Sequence, residues 1–253
     1  MSTPLPLDGR VALVTGVSRR QGIGAAIAAR LLADGAAVLA AGWSPHDAAM
    51  PWGADAFEAP ASPRFHAVEA DLADPAVPRD LVDAAVARFG RIDVVVANHA
   101  RSASQSLAEV TTDELDRCWA VNARASVLLA QALGATRPPG PGGRLVLFTS
   151  GQHRGPMAGE LPYAISKGAI HQMTASLADA LADRGVTVNC VNPGPVDTGW
   201  ARGALHAAIA ARFPAGRWGR PDDVARLVAW LASDESAWVT GQVIDSEGGF
   251  RRA

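Results

Sequence analysis

Cysteine and uncompensated charge are both scarce in this chain, and each scarcity removes a class of protein from consideration. Only two cysteines occur, Cys118 and Cys190, both among apolar neighbours (RCWAV and VNCVN). Buried free thiols are therefore expected rather than a disulfide framework. No CxxC or HExxH pattern is present, so no metal site is expected. The formal net charge is −2, and apart from Arg19-Arg20 and Arg251-Arg252 the basic residues are scattered. Such a chain lacks the field that draws a polyanion, which argues against a nucleic-acid partner. No apolar run nears the roughly 20 residues that span a bilayer. The start, MSTPLPLDGR, has neither the charged nor the apolar region of a signal peptide. The expectation is a soluble, cytoplasmic protein with no membrane partner.

What is present is a rhythm. With 49% hydrophobic and 19% charged residues over 253 positions, there is material for one large α/β domain or two small ones. Short β-branched or continuous apolar runs predict strands at 10–16, 36–42, 64–72, 91–100, 143–150, 186–194 and 241–249. Helical spacing fills the intervals at 24–35, 78–90, 111–135 (interrupted before Asn122), 163–185 and 221–235. Strands alternating with helices require crossovers, which predicts a doubly wound, mostly parallel sheet. No linker divides the chain, so one domain over 1–253 is expected. Residues 42–63 read as a long irregular connection where a doubly wound unit needs only a few residues. RPPGPGG at 137–143 reads as a compact turn.

Two local patterns carry chemistry. TGVSRRQGIG at 15–24 lies between a predicted strand and a predicted helix, with Gly16, Gly22 and Gly24 spaced by five residues and then one. Glycines let a backbone approach a pyrophosphate, and a helix N-terminus offers unpaired N–H groups. The spacing departs from GxGxxG, and the stretch alone reads equally as a ligand-free turn. Tyr163 and Lys167, four apart, share one helical face. A phenol with an ordinary pKa near 10 is a poor acid–base catalyst at neutral pH, and a neighbouring ammonium is expected to lower it. Tyr163 is the only tyrosine in the chain, and Ser150 ends an apolar strand thirteen residues earlier.

Taken together, TG-x5-GIG, Asp71-Leu72, Asn98-His99-Ala100, Asn122, Ser150, YAISK at 163–167, NPGPVDT at 192–198 and TGQVIDSEGG at 240–249 resemble the short-chain dehydrogenase/reductase family over nearly the whole chain. The resemblance implies a single-domain Rossmann fold with a seven-stranded sheet and helices on both faces. It also implies an enzyme that interconverts a small carbonyl compound and a secondary alcohol by hydride transfer, ketoacyl reductases being one branch. Tyr163 would be the general acid–base, and Lys167 would lower its pKa and hold the nicotinamide ribose. Ser150 would hydrogen-bond the substrate oxygen, and Asn122 would hold a water of the proton relay. Gly16, Ser18, Arg19, Gly22, Ile23 and Gly24 would form the phosphate loop, Asp71 and Leu72 would meet the adenine, and Asn98 and Ala100 would underlie the ribose. Pro193, Gly194, Val196 and Thr198 would line the nicotinamide and phosphates. The family also implies a homotetramer or homodimer, with the 111–135 and 163–185 helices as interface candidates.

Three departures stand out. The glycine loop is two residues longer than TGxxxGxG, NHAR replaces NNAG so that Arg101 stands where glycine is usual, and the acid of the C-terminal DGG is displaced in Ser246-Glu247-Gly248-Gly249. The second strand ends LAAGWSP with no acid before Asp47, where a carboxylate would select NAD. Ser44 and Arg19 are instead placed to meet a 2′-phosphate. NADP(H) is therefore expected in preference to NAD(H). Trp43, Met50, Pro51 and Trp52 are read as a cover for the adenine end, a subunit contact or a self-packed flap. His153, Met157, Trp200 and His206 are candidates to face a substrate. Arg184 is a candidate for a carrier-protein contact or a helix-end charge.

Overall fold

The structure is a computed structural model that describes residues 5–252; the first residues of the amino-terminal stretch read above lie outside them. Among the described residues, seven parallel strands form one sheet: β1 (Val11–Thr15), β2 (Ala37–Gly42), β3 (Phe65–Glu69), β4 (Val94–Ala97), β5 (Gly143–Phe148), β6 (Val186–Asn192) and β7 (Val243–Asp245). Their order is β3-β2-β1-β4-β5-β6-β7. Every residue of β1, β4 and β5 is buried, as continuous apolar runs predict for strands covered on both faces. The expected fold class is the one found.

Among the described residues, eight α-helices supply the crossovers and surface turns: α1 (Ile23–Ala33), α2 (Ser44–Ala49), α3 (Val77–Phe89), α4 (Thr112–Cys118), α5 (Ala125–Thr136), α6 (Leu161–Ala182), α7 (Gly203–Ala210) and α8 (Pro221–Ala232). One core layer joins α1 and α8 through Ile27, Leu31, Val224 and Val228 to the inward residues Ala12, Val14 and Val96. The other joins α3, α5 and α6 through Leu81, Leu129 and Ile170 to Leu13, Val95 and Leu147. Cys118 and Cys190 are buried and unpaired. No described helix is long and apolar enough to cross a membrane.

The differences from the sequence expectation are local. The strands expected at 64–72 and 91–100 stop at Glu69 and Ala97, because Ala70-Asp71-Leu72 and Asn98-His99-Ala100 turn out of the sheet. The 42–63 connection contains α2, a six-residue helix with proline in its first turn. The break before Asn122 is not a break: Trp119–Arg124 forms a π-helical turn that joins α4 to α5 in one rod. Such i→i+5 turns push one residue out of register, and here that region carries Asn122, fully buried.

Candidate functional site

Strand order reverses direction between β1 and β4, and the loops leaving these two strands part there to open a crevice. Thr15 and Asn98 form its floor, Asn98 Nδ2 donating to the carbonyls of Thr15 (3.2 Å) and Gly16 (3.3 Å). Gly16 has φ +72, and a Cβ there would lie 2.8 Å from Asn98 Nδ2 and 2.9 Å from the His99 backbone. A Cβ on Gly24 would lie 2.3 Å from the Gly16 carbonyl oxygen. Both positions therefore require glycine. Helix α1 begins after Gly22 with no side-chain cap and no acid in its first turn, which leaves its N–H groups and positive dipole end available to an anion. These features fit a dinucleotide pyrophosphate.

The cleft above this floor has a volume of about 690 Å³. Of the expected residues, Gly16, Ser18, Arg19, Gly22, Ile23, Asp71, Leu72, Asn98, Ala100 and Thr198 line it. Gly24 is packed behind the loop, while Pro193, Gly194 and Val196 sit on the segment after β6, of which only Thr198 reaches the cleft wall. Trp43, Met50 and Trp52 also line the cleft, so this part of the 42–63 segment covers its open side.

The end of β2 differs from expectation in one respect. Ser44 is not among the lining residues; its N–H (3.0 Å) and hydroxyl both donate to Glu69 at the end of β3. The first turn of α2 instead brings Asp47 back into the cleft, buried, where it accepts from the Ser18 hydroxyl and from Trp52 Nε1 (3.4 Å). Sequence distance from β2 hid this carboxylate, because a six-residue helix reverses the chain. Arg19 crosses the cleft mouth to donate to the Thr198 carbonyl at 2.8 Å, and its buried Nε has no protein partner.

The second group lies beside the carboxyl end of β5. Lys167 is almost wholly buried and donates through Nζ to the Phe148 carbonyl at 2.9 Å. Its Nζ stands 5.7 Å from the centre of the Tyr163 ring. Burial brings the Lys167 pKa down to about 8. Burial likewise pushes the Tyr163 phenol up to about 12, against the lowering effect of the Ser150 hydroxyl. The expected lowering of the tyrosine is thus not what the free protein displays: loss of solvent, the largest influence on the phenol, raises its pKa instead. At neutral pH the phenol keeps its proton, the form an acid catalyst needs.

Asn122 has no side-chain function to spare. Its Oδ1 accepts from the Arg101 N–H (2.7 Å), and Nδ2 donates to the Arg101 carbonyl (3.0 Å) and Ser166 Oγ (2.8 Å). Ser166 Oγ in turn donates to the Tyr163 carbonyl at 2.8 Å, so Asn122 joins the loop after β4 to the turn of α6 that carries tyrosine. Arg101, in place of the usual glycine, pairs through two nitrogens with Glu114 on α4 (2.6 and 2.8 Å). His99, unassigned by sequence, shares a 2.7 Å hydrogen bond with Thr15 Oγ1. Burial and then the Lys167 charge bring its pKa down to about 3, so it is neutral.

The substrate candidates separate. His153 is tied to the Ser150 carbonyl (3.2 Å) and to Asp245 (3.0 Å). His206 meets Asp197 at 3.0 Å and stacks on Trp218, while Trp200 is exposed and Met157 half-buried. Arg184 donates to the Arg137 carbonyl, so it braces the 137–143 turn.

Comparison with known proteins agrees with this geometry. A family model described as enoyl-(acyl carrier protein) reductase matches residues 16–251. The chain is 38% identical to an uncharacterised oxidoreductase of Bacillus subtilis, over 96% of this chain and 97% of that protein. It is 35% identical to an Arabidopsis thaliana protein named NADPH-dependent aldehyde reductase-like protein, over 98% and 96% of the two chains. Among solved structures, a short-chain dehydrogenase of Burkholderia cenocepacia in complex with NADP superposes with a TM-score of 0.82 at 36% identity, covering 96% and 98%.

The buried lysine makes a stability prediction with a definite sign. Lys167 loses its proton near 8 when folded against an ordinary 10.5, so between these values the unfolded chain binds more protons and this residue's contribution to stability rises with pH. Below that window its charge costs about 3 kcal/mol. Lys167→Met is expected to be more stable than wild type by an amount of that order at pH 7. The advantage should shrink steadily from pH 8 to 10.5 in urea denaturation. A difference independent of pH would contradict the assignment.

Proposed function

The chain belongs to the short-chain dehydrogenase/reductase family, and from that premise we propose that it reduces a small or medium carbonyl compound to a secondary alcohol with NADP(H). The observation that carries this reading is the protonated Tyr163 phenol beside Ser150 and above the buried Lys167 ammonium. When bound, the nicotinamide supplies the hydride. Ser150 would hold the carbonyl oxygen, and Tyr163 would deliver a proton to that oxygen as negative charge develops on it. Lys167, anchored on Phe148, would restore the phenol's proton and hold ribose hydroxyls. Asn122 would act by positioning, through Ser166, the helical turn that presents the tyrosine. Gly16, Gly22 and the start of α1 would take the pyrophosphate, Asp71 and Leu72 the adenine, and Thr198 with Pro193, Gly194 and Val196 the nicotinamide side.

Preference for NADP(H) rests on Arg19, which lines the cleft and whose buried Nε has no partner among the described residues, and is in keeping with the cofactor named for the Arabidopsis and Burkholderia relatives. A second reading, NAD(H) with an alcohol or sugar substrate, is favoured by Asp47, a carboxylate suited to a ribose 2′-hydroxyl. A non-catalytic dinucleotide sensor is the reading least supported, because it requires no such trio. The protein is proposed to act in the cytoplasm.

Tyr163→Phe is expected to lower carbonyl-dependent NADPH oxidation by about 10²- to 10⁴-fold while NADPH still quenches tryptophan fluorescence, assayed over a panel of ketones, aldehydes and 3-oxoacyl thioesters. Intact turnover would overturn the mechanism. Arg19→Ala is expected to lower kcat/KM for NADPH about tenfold or more with little change for NADH. Equal losses, or a wild-type preference for NADH, would favour the second reading. Trp119 on the π turn, Val127 on α5 and Ile165 on α6 are exposed apolar residues on the two expected interface helices. Sedimentation should therefore give a tetramer, or a dimer, of the 26.1 kDa chain, and a monomer at assay concentration would refute the assembly.

A further inference from the structure

Two features that depart from the family pattern meet in space. The glycine loop carries two additional residues, and the 42–63 connection is long; each touches the other. Arg19 forms an antiparallel bridge with Ala56. The Arg20 N–H donates to the Asp55 carbonyl at 2.9 Å, and the Gln21 N–H donates to Asp55 Oδ2 at 3.1 Å. The Arg20 guanidinium lies 3.4 Å from Asp55 Oδ1. Nearer the cleft, the Arg19 guanidinium lies over the Trp52 ring at 5.9 Å, and Trp52 Nε1 donates to Asp47, which also accepts from Ser18.

The loop of usual length would lack the backbone that makes these bonds, and the 42–63 segment would have nothing to close upon. The segment is anchored from behind, since Phe57 packs on Phe65 of β3 at 5.8 Å and against the core. Its forward part turns at Gly53, which has φ +73 and open space around it and whose N–H donates to the Met50 carbonyl at 2.9 Å, and it meets the glycine loop through the contacts just named. Of the joined pieces, Ser18, Arg19 and Trp52 line the same cleft as Asp71 and Leu72.

We propose that the lengthened glycine loop and residues 52–56 form one clasp over the adenosine end of the dinucleotide, and that opening this clasp limits how fast the nucleotide leaves. The proposal rests on the dinucleotide-binding reading above, and Asp55, which accepts from the N–H groups of Arg20 through its carbonyl and of Gln21 through its carboxylate, is its latch.

The test follows release of NADPH from the full chain by stopped-flow fluorescence, displacing it with excess NADP⁺. Asp55→Ala should raise the dissociation rate about three- to tenfold, the scale of one hydrogen bond and one exposed ion pair. Amide hydrogen exchange on the wild-type protein needs no variant: adding NADPH should slow exchange in residues 19–22 and 52–57 together. A release rate within about twofold of wild type would overturn the clasp. So would protection of one segment without the other. If the wild-type chain binds no NADPH at all, the cofactor assignment fails, and the clasp with it.

Discussion

Parallel strands cannot be joined by tight turns, and that constraint organises everything else in this protein. Each strand must be followed by a crossover, so the carboxyl ends of all seven strands lie along one edge of the sheet. The glycine loop after β1, Asp71 after β3, Asn98 after β4, Ser150 after β5 and Gly194 after β6 therefore share that edge although the chain separates them widely. The reversal of strand order between β1 and β4 then parts two of these loops and opens the cleft. No side chain had to be placed individually for a nucleotide-sized crevice to exist; the residues at its edge had only to be small enough, as Gly16 and Gly24 are, or polar.

Within that frame the balance between solvation and charge sets the chemistry. Lys167 is buried and Tyr163 half-buried, and loss of solvent favours the neutral form of each, bringing the lysine to about 8 and the tyrosine to about 12. A protonated phenol next to a lysine ready to exchange its proton is an arrangement suited to reduction. Polar groups brace the scaffold around them: Asn122 grips Arg101 and Ser166, and Thr149 Oγ1 donates to the Lys167 carbonyl at 2.8 Å. Arg101, which replaces the customary glycine, is accommodated because Glu114 neutralises it with two hydrogen bonds.

Much of this was legible in the sequence, for a physical reason. Strands buried on both faces, such as VVVA of β4, must be continuously apolar, and the Tyr163–Lys167 spacing fixes two side chains on one face of a helix. Strand ends were less legible, since Ala70-Asp71-Leu72 carries as much apolar character as the strand before it yet leaves the sheet to line the cleft. Asp47 was overlooked as a cleft residue because α2 turns the chain within six residues. The role expected of Ser44 changed because its partner, Glu69, lies on another strand. The sign of the Tyr163 shift depended on burial, which spacing cannot reveal. Conversely, the two oddities of the sequence, the lengthened glycine loop and the 42–63 connection, were visible at once. That they answer each other required coordinates.

The central claim is that this site moves a hydride to a carbonyl carbon under Tyr163's proton. The most direct measurement supplies NADPH deuterated at nicotinamide C4, one face at a time, with the carbonyl panel and analyses the products by mass spectrometry and NMR. One deuterium on the carbinol carbon of a secondary alcohol, from one face only, is the result this account predicts. Binding of NADPH without transfer of label to any member of the panel would contradict it and leave a nucleotide sensor as the better description.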